Sequence, residues 1–475
     1  MNGRMVVVLD IGKTMSKASL WNSVGELVRR ETRANASIDA GRYLALDAAG
    51  IETWLGEVLG GFADVGPVGS IIPVAHGAAA VVVRDGALVA LPMDYETPIP
   101  ADVRASYLGE RDAFTHTGSP LMEHGLNLGL QLHYLEHLFP EALNDDAAVM
   151  PWAQYWGWRL SGIAAAEATS LGSHTDLWAP LRRGPSDMAI RRGWAGRLAP
   201  LRRAEDVLGG LLPEWSARMR APADAVVHVG LHDSNAALHA ARGFPEIAGR
   251  DATVVSTGTW FVSMRSLPRP GEFDFATLSP DRGCLVNVDA SGAPAPTSLF
   301  MGGREIEILS SGSAYCIDAP ELQDEILAGA ETCVTAGAMV LPTMTPGVGP
   351  FPHAAGAWEA RPSEPAVVAS AISLYAALVT DCALDLIGAT GPLLVDGRFA
   401  RARTFVGALA TLRPQARVYA SQAANDVSFG ALRLLRPDLS ASAPLSRVAP
   451  LGVDLRAYRD RWRRLCGSWR AGGLA

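Results

Sequence analysis

The apolar pattern of this chain is organised around two short segments that look alike. Val6-Val-Val-Leu-Asp-Ile-Gly-Lys-Thr-Met-Ser-Lys17 reads as a strand that turns through Gly12 into a second strand. Thr253-Val-Val-Ser-Thr-Gly-Thr-Trp-Phe-Val-Ser-Met264 repeats the pattern, and superposing Gly12 on Gly258 brings the apolar runs into register. The repeat predicts two related halves. In the first half, Ser70–Ala75 and Ala79–Arg84 read as strands, and the Asp85-Gly86 turn leads into Ala87–Leu91, which predicts a meander. Leu126–Leu138 predicts a helix. Val226–Val229 predicts a strand ending at Gly230, with a helix beginning just after Asp233. In the second half a helix over Ala366–Ile387, a strand over Leu393–Val395, a glycine turn at Asp396-Gly397-Arg398, a helix over Phe399–Leu412 and a strand over Arg417–Ala420 follow in turn. Alternation of this kind predicts an α/β protein with helices covering its sheets.

Three stretches break the alternation. Leu341–Pro352 holds four prolines and two glycines and predicts a loop, either a plain surface connection or the wall of a cleft. Residues 182–203 carry seven arginines against one acid, Asp187, with little aromatic interleaving beyond Trp194, which predicts a solvated face. Leu455–Trp469 predicts an Arg-rich amphipathic terminal helix that packs on the body. The apolar run Ala366–Val379 is shorter than the roughly 20 residues a bilayer requires. Met5–Leu9 is too short for the apolar core of an export signal, so a cytoplasmic protein is expected.

Composition narrows the function classes. The chain has 475 residues, 49% apolar and 19% charged, which suits a globular protein of two or more domains. A formal charge of −8 gives no electrostatic reason to bind nucleic acid or acidic lipid, so neither is expected as a partner. Five scattered cysteines without C-x-x-C spacing predict reduced thiols rather than a disulfide framework or a zinc site. Phosphate loops of the Walker and dinucleotide types and the G-x-S-x-G elbow are missing from the sequence.

Charge placement is more informative. Lys13 and Lys17 are the only lysines, and both lie in the first repeat. Beside Gly12, whose backbone a ligand can approach closely, a compact ammonium suits a phosphate, and Asp10 can hold a hydrated Mg²⁺. An ordinary hairpin with two surface lysines fits the same residues. Asp233 at a helix N-terminus is expected to stay ionised through the helix dipole and to accept a proton from a hydroxyl, although a plain helix cap fits as well. His76-Gly77 joins two strands with small residues around an imidazole, leaving room for a ligand. His76 and Asp94 can each hydrogen-bond a sugar hydroxyl, or His76 can be a satisfied core histidine.

Taken together, Asp10-Ile-Gly-Lys-Thr14 with Lys17, Gly230-Leu-His-Asp-Ser-Asn-Ala-Ala237, Ser256-Thr-Gly-Thr-Trp260 and Asp396-Gly-Arg398 resemble the ordered motifs of the FGGY family of carbohydrate kinases. The resemblance spans nearly the whole chain and implies two ribonuclease-H-like domains of the actin-like ATPase superfamily around a central cleft. Residues 1–244 would form the sugar-binding domain with the first phosphate loop, and 245–475 the ATP-binding domain. It further implies ATP and Mg²⁺ as cofactors and a small-molecule sugar as substrate. Asp10 becomes a water-mediated Mg²⁺ partner, and Gly12, Lys13 and Thr14, with Lys17, the first phosphate loop. Thr257, Gly258 and Thr259 become the second phosphate loop, Gly397 and Arg398 the adenosine turn, Asp233 the catalytic base, and His76, Gly77 and Asp94 the sugar pocket. Lys13 stands where many members carry threonine, and Asp396-Gly397-Arg398 replaces a more glycine-rich turn. Ser256–Trp260 looks most like rhamnulokinases and fuculokinases, implying a deoxy-ketose such as L-rhamnulose or L-fuculose. Two alternatives share the superfamily, a slow ATPase switch and a sugar-binding regulator. Symmetry preferences alone suggest a homodimer.

Overall fold

The computed structural model describes residues 3–467 except 145, 270, 272, 312–314, 422–425 and 441–444. The chain divides into two compact units. The first comprises Met1–Ala240, Val286–Pro294 and Val427–Ser440, and the second comprises Ala241–Leu285, Ala295–Asp426 and Ala441–Ala475.

The first unit is built on β1 (Met5–Ile11), β2 (Met15–Trp21), β3 (Leu27–Ala34), helix α1 (Ala48–Ala63), β4 (Val68–Ala75), helix α2 (Leu128–Leu138), β5 (Val207–Gly210), β6 (Val226–His228) and helix α3 (Asp233–Ala241). Its main sheet runs β5-β6-β4-β1-β2-β3. β1 pairs antiparallel with β2 but parallel with β4, and β4 pairs parallel with β6. The buried run Val7, Val8 and Leu9 has sheet neighbours on both sides and helices over it, which is why β1 reads as continuous rather than alternating hydrophobicity.

Only part of the predicted meander forms. β4 belongs to the main sheet, whereas Ala80–Arg84 pairs with Ala87–Leu88 and with Ala148–Pro151 in a separate small sheet. The chain leaves the main sheet at His76, and the Gln131 side chain on α2 satisfies the freed backbone, accepting from the Ala80 amide (3.0 Å) and donating to the Ala78 carbonyl (2.9 Å). Two segments from the second half of the sequence also pack into this unit. The Val286 amide bonds the Gly118 carbonyl (2.8 Å), and Arg433 bonds the His239 carbonyl (2.9 Å).

The second unit is built on β7 (Ala252–Thr257), β8 (Phe261–Ser266), β9 (Pro294–Phe300), helix α4 (Gly302–Ser310), helix α5 (Pro365–Leu386), β10 (Leu393–Gly397), helix α6 (Arg403–Leu412), β11 (Val418–Ala420), β12 (Ser446–Arg447) and helix α7 (Arg456–Leu465). Its sheet contains the order β9-β8-β7-β10-β11-β12. β7 pairs antiparallel with β8 and parallel with β10, and β10 pairs parallel with β11. In space this is the path β3-β2-β1-β4-β6-β5 of the first unit, with the same senses, so the repeat in sequence is a repeat of the sheet, except that the edge strand β5 precedes its neighbour in the chain while β12 follows its own. The predicted helix over Phe399–Leu412 is a short 3₁₀ turn, Arg398–Arg401, followed by α6. Among the described residues α5 is the one helix long and apolar enough to cross a membrane by length and composition, but 94% of that window is buried inside the protein.

The proline-rich loop is anchored from beneath. Glu305 on α4, 2% exposed, accepts from the Thr343 hydroxyl, the Met344 and Thr345 amides (3.0 and 3.2 Å), the Thr345 hydroxyl (2.9 Å) and the Tyr375 hydroxyl (2.6 Å). α7 packs beside it, with Trp462 Nε1 donating to the Val340 carbonyl (2.7 Å) and its ring edge-on to Phe351. This is the predicted terminal helix, although Trp469 lies outside the described residues. Among the arginines of the 182–203 segment, Arg182 meets Asp187, Arg191 meets Asp112, and Arg192 meets Glu110 and Glu136. Glu305→Ala leaves several buried donors without an acceptor and is expected to lower unfolding stability by about 3 kcal/mol, with Glu305→Gln falling between it and the parent. Denaturant unfolding followed by tryptophan fluorescence measures this, and an unchanged midpoint for the alanine variant would contradict the anchoring role.

Candidate active site

In the first unit the β1–β2 hairpin places Asp10 opposite Lys17 in register, and Lys17 Nζ lies 3.1 Å from Asp10 Oδ2. The intervening turn closes with the Gly12 amide on the Met15 carbonyl (3.0 Å), and Asn35 Nδ2 donates to the Gly12 carbonyl (2.8 Å). Thr14 is exposed at the turn. Lys13 is engaged elsewhere. Its ammonium pairs with fully buried Asp94, donates to Ser37 Oγ (2.8 Å), reaches Glu96 (3.5 Å) and sits 5.4 Å from the Tyr95 ring centre. Lys13 and Asp94, predicted for different tasks, therefore form one ion pair. The ammonium helps hold the Asp94 carboxyl below its usual range, against the desolvation that opposes it.

Asp233 opens α3 directly after Leu231–His232, a short strand pairing parallel to the end of β4. Its Oδ1 accepts from the Ser234 amide (2.6 Å) and hydroxyl (3.2 Å) and lies 3.2 Å from His232 Nε2. Among the described residues no partner is seen at Oδ2. The helix N-terminus was expected to keep this carboxyl acidic, but desolvation outweighs the Ser234 bonds and the Lys17 charge, pushing it up to about 6. Its side chain still keeps 31% exposure, so solvent reaches the group.

Beside Asp233 lie His232 and Asn235, to which sequence reasoning gave no role, and next to His232 are the predicted His76 and Gly77 together with the unassigned His174. Burial lowers His232 to about 4, so it is neutral near pH 7, and Asn235 Nδ2 donates to its Nδ1 (3.2 Å), leaving the proton on Nε2 facing Asp233. Gly77 makes room for this ring, because a Cβ there would sit 2.6 Å from Ser173 Oγ and 3.0 Å from His232 Nε2. His76 stacks edge-on to Tyr95 (5.8 Å) and is lowered to about 3, first by burial and then by His232. His174, lowered to about 4 by burial and His232, donates from Nδ1 to the Leu126 carbonyl (2.8 Å). Its loop is fixed by Asp176, which takes a two-pronged pair from Arg111 (2.9 and 2.8 Å) and a bond from the Tyr107 hydroxyl (2.6 Å). The polar run Ser173-His174-Thr175-Asp176 was the available signal, but nothing in its spacing tied it to His76, about a hundred residues away.

In the second unit the β7–β8 turn carries Thr257, Gly258 and Thr259. The Thr257 hydroxyl donates to the Asp396 carbonyl (2.6 Å) and accepts from the Phe399 amide (3.0 Å), joining this turn to the one after β10. Gly397 has φ +88°, and a Cβ there would run into the Thr257 carbonyl, so glycine is required. The Gly303 amide at the start of α4 bonds the Thr259 carbonyl (3.2 Å), a contact that the sequence reading did not include. Arg398 is held by Asp318 through Nε (2.9 Å) and Nη2 (3.1 Å). A cavity of about 1040 Å³ opens beside these turns, lined among others by Asp396, Gly397, Arg401, Ser421 and Asp426. Gly397 is on its wall and Arg398 is not among its lining residues. Asp10, Gly12, Lys13, Thr14, Lys17, His76, Gly77, Asp94 and Asp233 thus lie in the first unit, and Thr257, Gly258, Thr259, Gly397 and Arg398 in the second.

Residues 249–443 match the model of the carbohydrate kinase FGGY C-terminal domain. No curated protein matches the chain by sequence. Among solved structures, a carbohydrate kinase from Novosphingobium aromaticivorans is 49% identical, with 97% of this chain and 100% of that one covered and a TM-score of 0.91. A xylulose kinase from Rhodospirillum rubrum is 18% identical (98% of each chain, TM-score 0.76). A Plasmodium falciparum glycerol kinase with ADP is 14% identical (97% and 98%, TM-score 0.75). The two more distant likenesses speak for the fold alone; with the 49% identical kinase, the family match and the two repeated sheets, that fold is two ribonuclease-H-like domains of the actin-like ATPase superfamily. With nearly the whole chain aligned to the Novosphingobium kinase at that identity, and the two repeated sheets in place, the chain belongs to the FGGY family of carbohydrate kinases.

Proposed function

We propose that this carbohydrate kinase transfers the γ-phosphate of ATP to a primary hydroxyl of a ketose or deoxy-ketose, with Asp233 as general base. The observation that carries the proposal is the asymmetry of the Asp233 carboxyl. Oδ1 is occupied by Ser234 and His232, which leaves Oδ2 as the oxygen to take the hydroxyl proton as the oxygen attacks phosphorus. The O–H bond breaks toward Asp233, the new P–O bond forms, and ADP leaves with the electron pair of the old one. A pKa of about 6 suits a base that works near neutrality.

Gly12, Lys13, Thr14 and Lys17 are assigned to the phosphate loop of the first unit, and Thr257, Gly258 and Thr259 to that of the second. Gly397 and Arg398 are assigned to the adenosine side, beside the large cavity. In this assignment Lys17, 3.1 Å from Asp10 Oδ2, is the lysine whose charge acts on Asp233, whereas Lys13 pairs with Asp94. Among the described residues no three His, Cys, Asp or Glu side chains converge as a metal cage. Mg²⁺ commonly keeps several waters and takes one or two carboxylates plus substrate phosphates, and the buried carboxylate of Asp10 fits that need. The ion, when bound, neutralises charge on the transferring phosphoryl group.

His76, Gly77 and Asp94 are assigned to the sugar pocket. The Ser256-Thr-Gly-Thr-Trp260 sequence favours L-rhamnulose or L-fuculose, while the names of the distant relatives add xylulose and glycerol to the sugars worth testing. Residues 1–244 and 245–475 are assigned as the sugar and ATP domains, apart from 286–294 and 427–440, which pack into the first unit, and 241–244, which fall in the second, and a cytoplasmic homodimer is the expected form.

A coupled ADP-release assay with Mg²⁺-ATP over these sugars tests the substrate class. One strongly preferred ketose is the expected result, and slow release independent of every sugar would overturn it. Asp233→Asn is expected to lower kcat by about a thousandfold with nucleotide affinity retained, and turnover near the parent level would remove Asp233 from the mechanism. Because its carboxyl is raised to about 6, the active ionised form prevails above that pH, and kcat/KM is expected to fall as pH drops through about 6. A pH–rate profile with its acid limb near 4 instead would mean that burial does not tune this group.

A further inference from the structure

The His76-Gly77 and Ser173-His174 segments meet where Ser173 Oγ donates to the Gly77 carbonyl (3.4 Å), and a Cβ on Gly77 would lie 3.0 Å from His232 Nε2, so the imidazoles of His76, His174 and His232, all kept neutral by burial, belong to one cluster. Their proton positions differ. The Ala78 amide donates to His76 Nδ1 (3.3 Å), which fixes the proton on Nε2, and that N–H is buried with no partner among the described residues. His174 is the reverse, because its Nδ1–H is spent on the Leu126 carbonyl (2.8 Å), which makes Nε2 an acceptor, and Nε2 has no partner among the described residues. A hydroxyl is the group that accepts one hydrogen bond and donates another. A buried orphan donor beside an unoccupied acceptor is therefore complementary to a sugar hydroxyl.

We propose that His174 determines substrate specificity by accepting, at Nε2, the hydrogen bond of a second sugar hydroxyl whose oxygen accepts from His76 Nε2–H. The inference rests on the sugar-kinase reading of this site and adds a residue that reading did not include. His174 is held for the task from both sides. Its Nδ1 grips the Leu126 carbonyl, Asn127 Nδ2 bonds its own carbonyl (2.9 Å), and two residues on the Asp176–Arg111 pair fixes the loop.

Two substitutions separate recognition from loop support. In His174→Asn the amide can replace Nδ1–H toward Leu126 while the distal acceptor is lost. In His174→Gln an amide oxygen can return near the Nε2 position. With whichever of L-rhamnulose, L-fuculose and the xyluloses the parent phosphorylates best, His174→Asn is expected to raise KM about fivefold to tenfold with kcat within about twofold, and His174→Gln to recover most of the loss. Singly deoxygenated analogues of that sugar close the cycle, since for the one lacking the recognised hydroxyl the parent and His174→Asn should have equal KM. An unchanged KM in His174→Asn, or an equal rise with every analogue, would overturn the assignment. A parent enzyme that phosphorylates none of these sugars would instead overturn the kinase substrate reading, before any variant is made.

Discussion

The mixed pairing of one central strand in each unit is the constraint on which the rest of the structure depends. β1 has an antiparallel partner on one side and a parallel partner on the other, and β7 repeats this arrangement. The antiparallel side needs only a tight glycine turn, while the parallel side needs a crossover whose return brings another strand end to the same edge. Asp10, His76 and Asp233 are gathered by that rule in the first unit, since the ends of β1 and β4 and the Leu231–His232 strand lie side by side. In the second unit the same rule sets the Thr257–Thr259 turn against the Asp396–Arg398 turn, and the Thr257 hydroxyl locks them together.

Electrostatics at the first edge are those of a partly dry site. Burial keeps three histidines neutral and raises Asp233, while the two lysines each face a carboxylate. Such an environment strengthens every remaining charge interaction and lets a carboxyl act as a base near neutral pH. Framework carboxylates surround it. Glu167, raised to about 7 by burial, accepts from the Thr169 hydroxyl (2.6 Å), which in turn accepts from the His232 amide (3.0 Å). The turn bearing the base is thus tied into the interior rather than left on a loop.

Where sequence reasoning succeeded, the signal was local. The Gly12 and Gly258 hairpins were legible because apolar alternation and a turn glycine occur within about a dozen residues, and the start of α3 at Asp233 follows from Gly230 and a polar cap. The predicted meander went wrong at His76, where pairing was decided by Gln131 on a distant helix. The sign of the Asp233 shift was misjudged for a similar reason. A helix N-terminus is visible in sequence, but the desolvation that overrides it is not.

The sequence by itself determined the two-fold repeat, the strand and helix order, and the residue types at each turn, because backbone geometry and hydrophobic periodicity act over a few neighbours. Only the tertiary structure decided that Lys13 meets Asp94 across 81 residues of sequence, that His174 joins His76 and His232, and that 427–440 packs into the first unit. Charge pairing, protonation and desolvation depend on distances between groups far apart in the chain, and packing alone sets those distances.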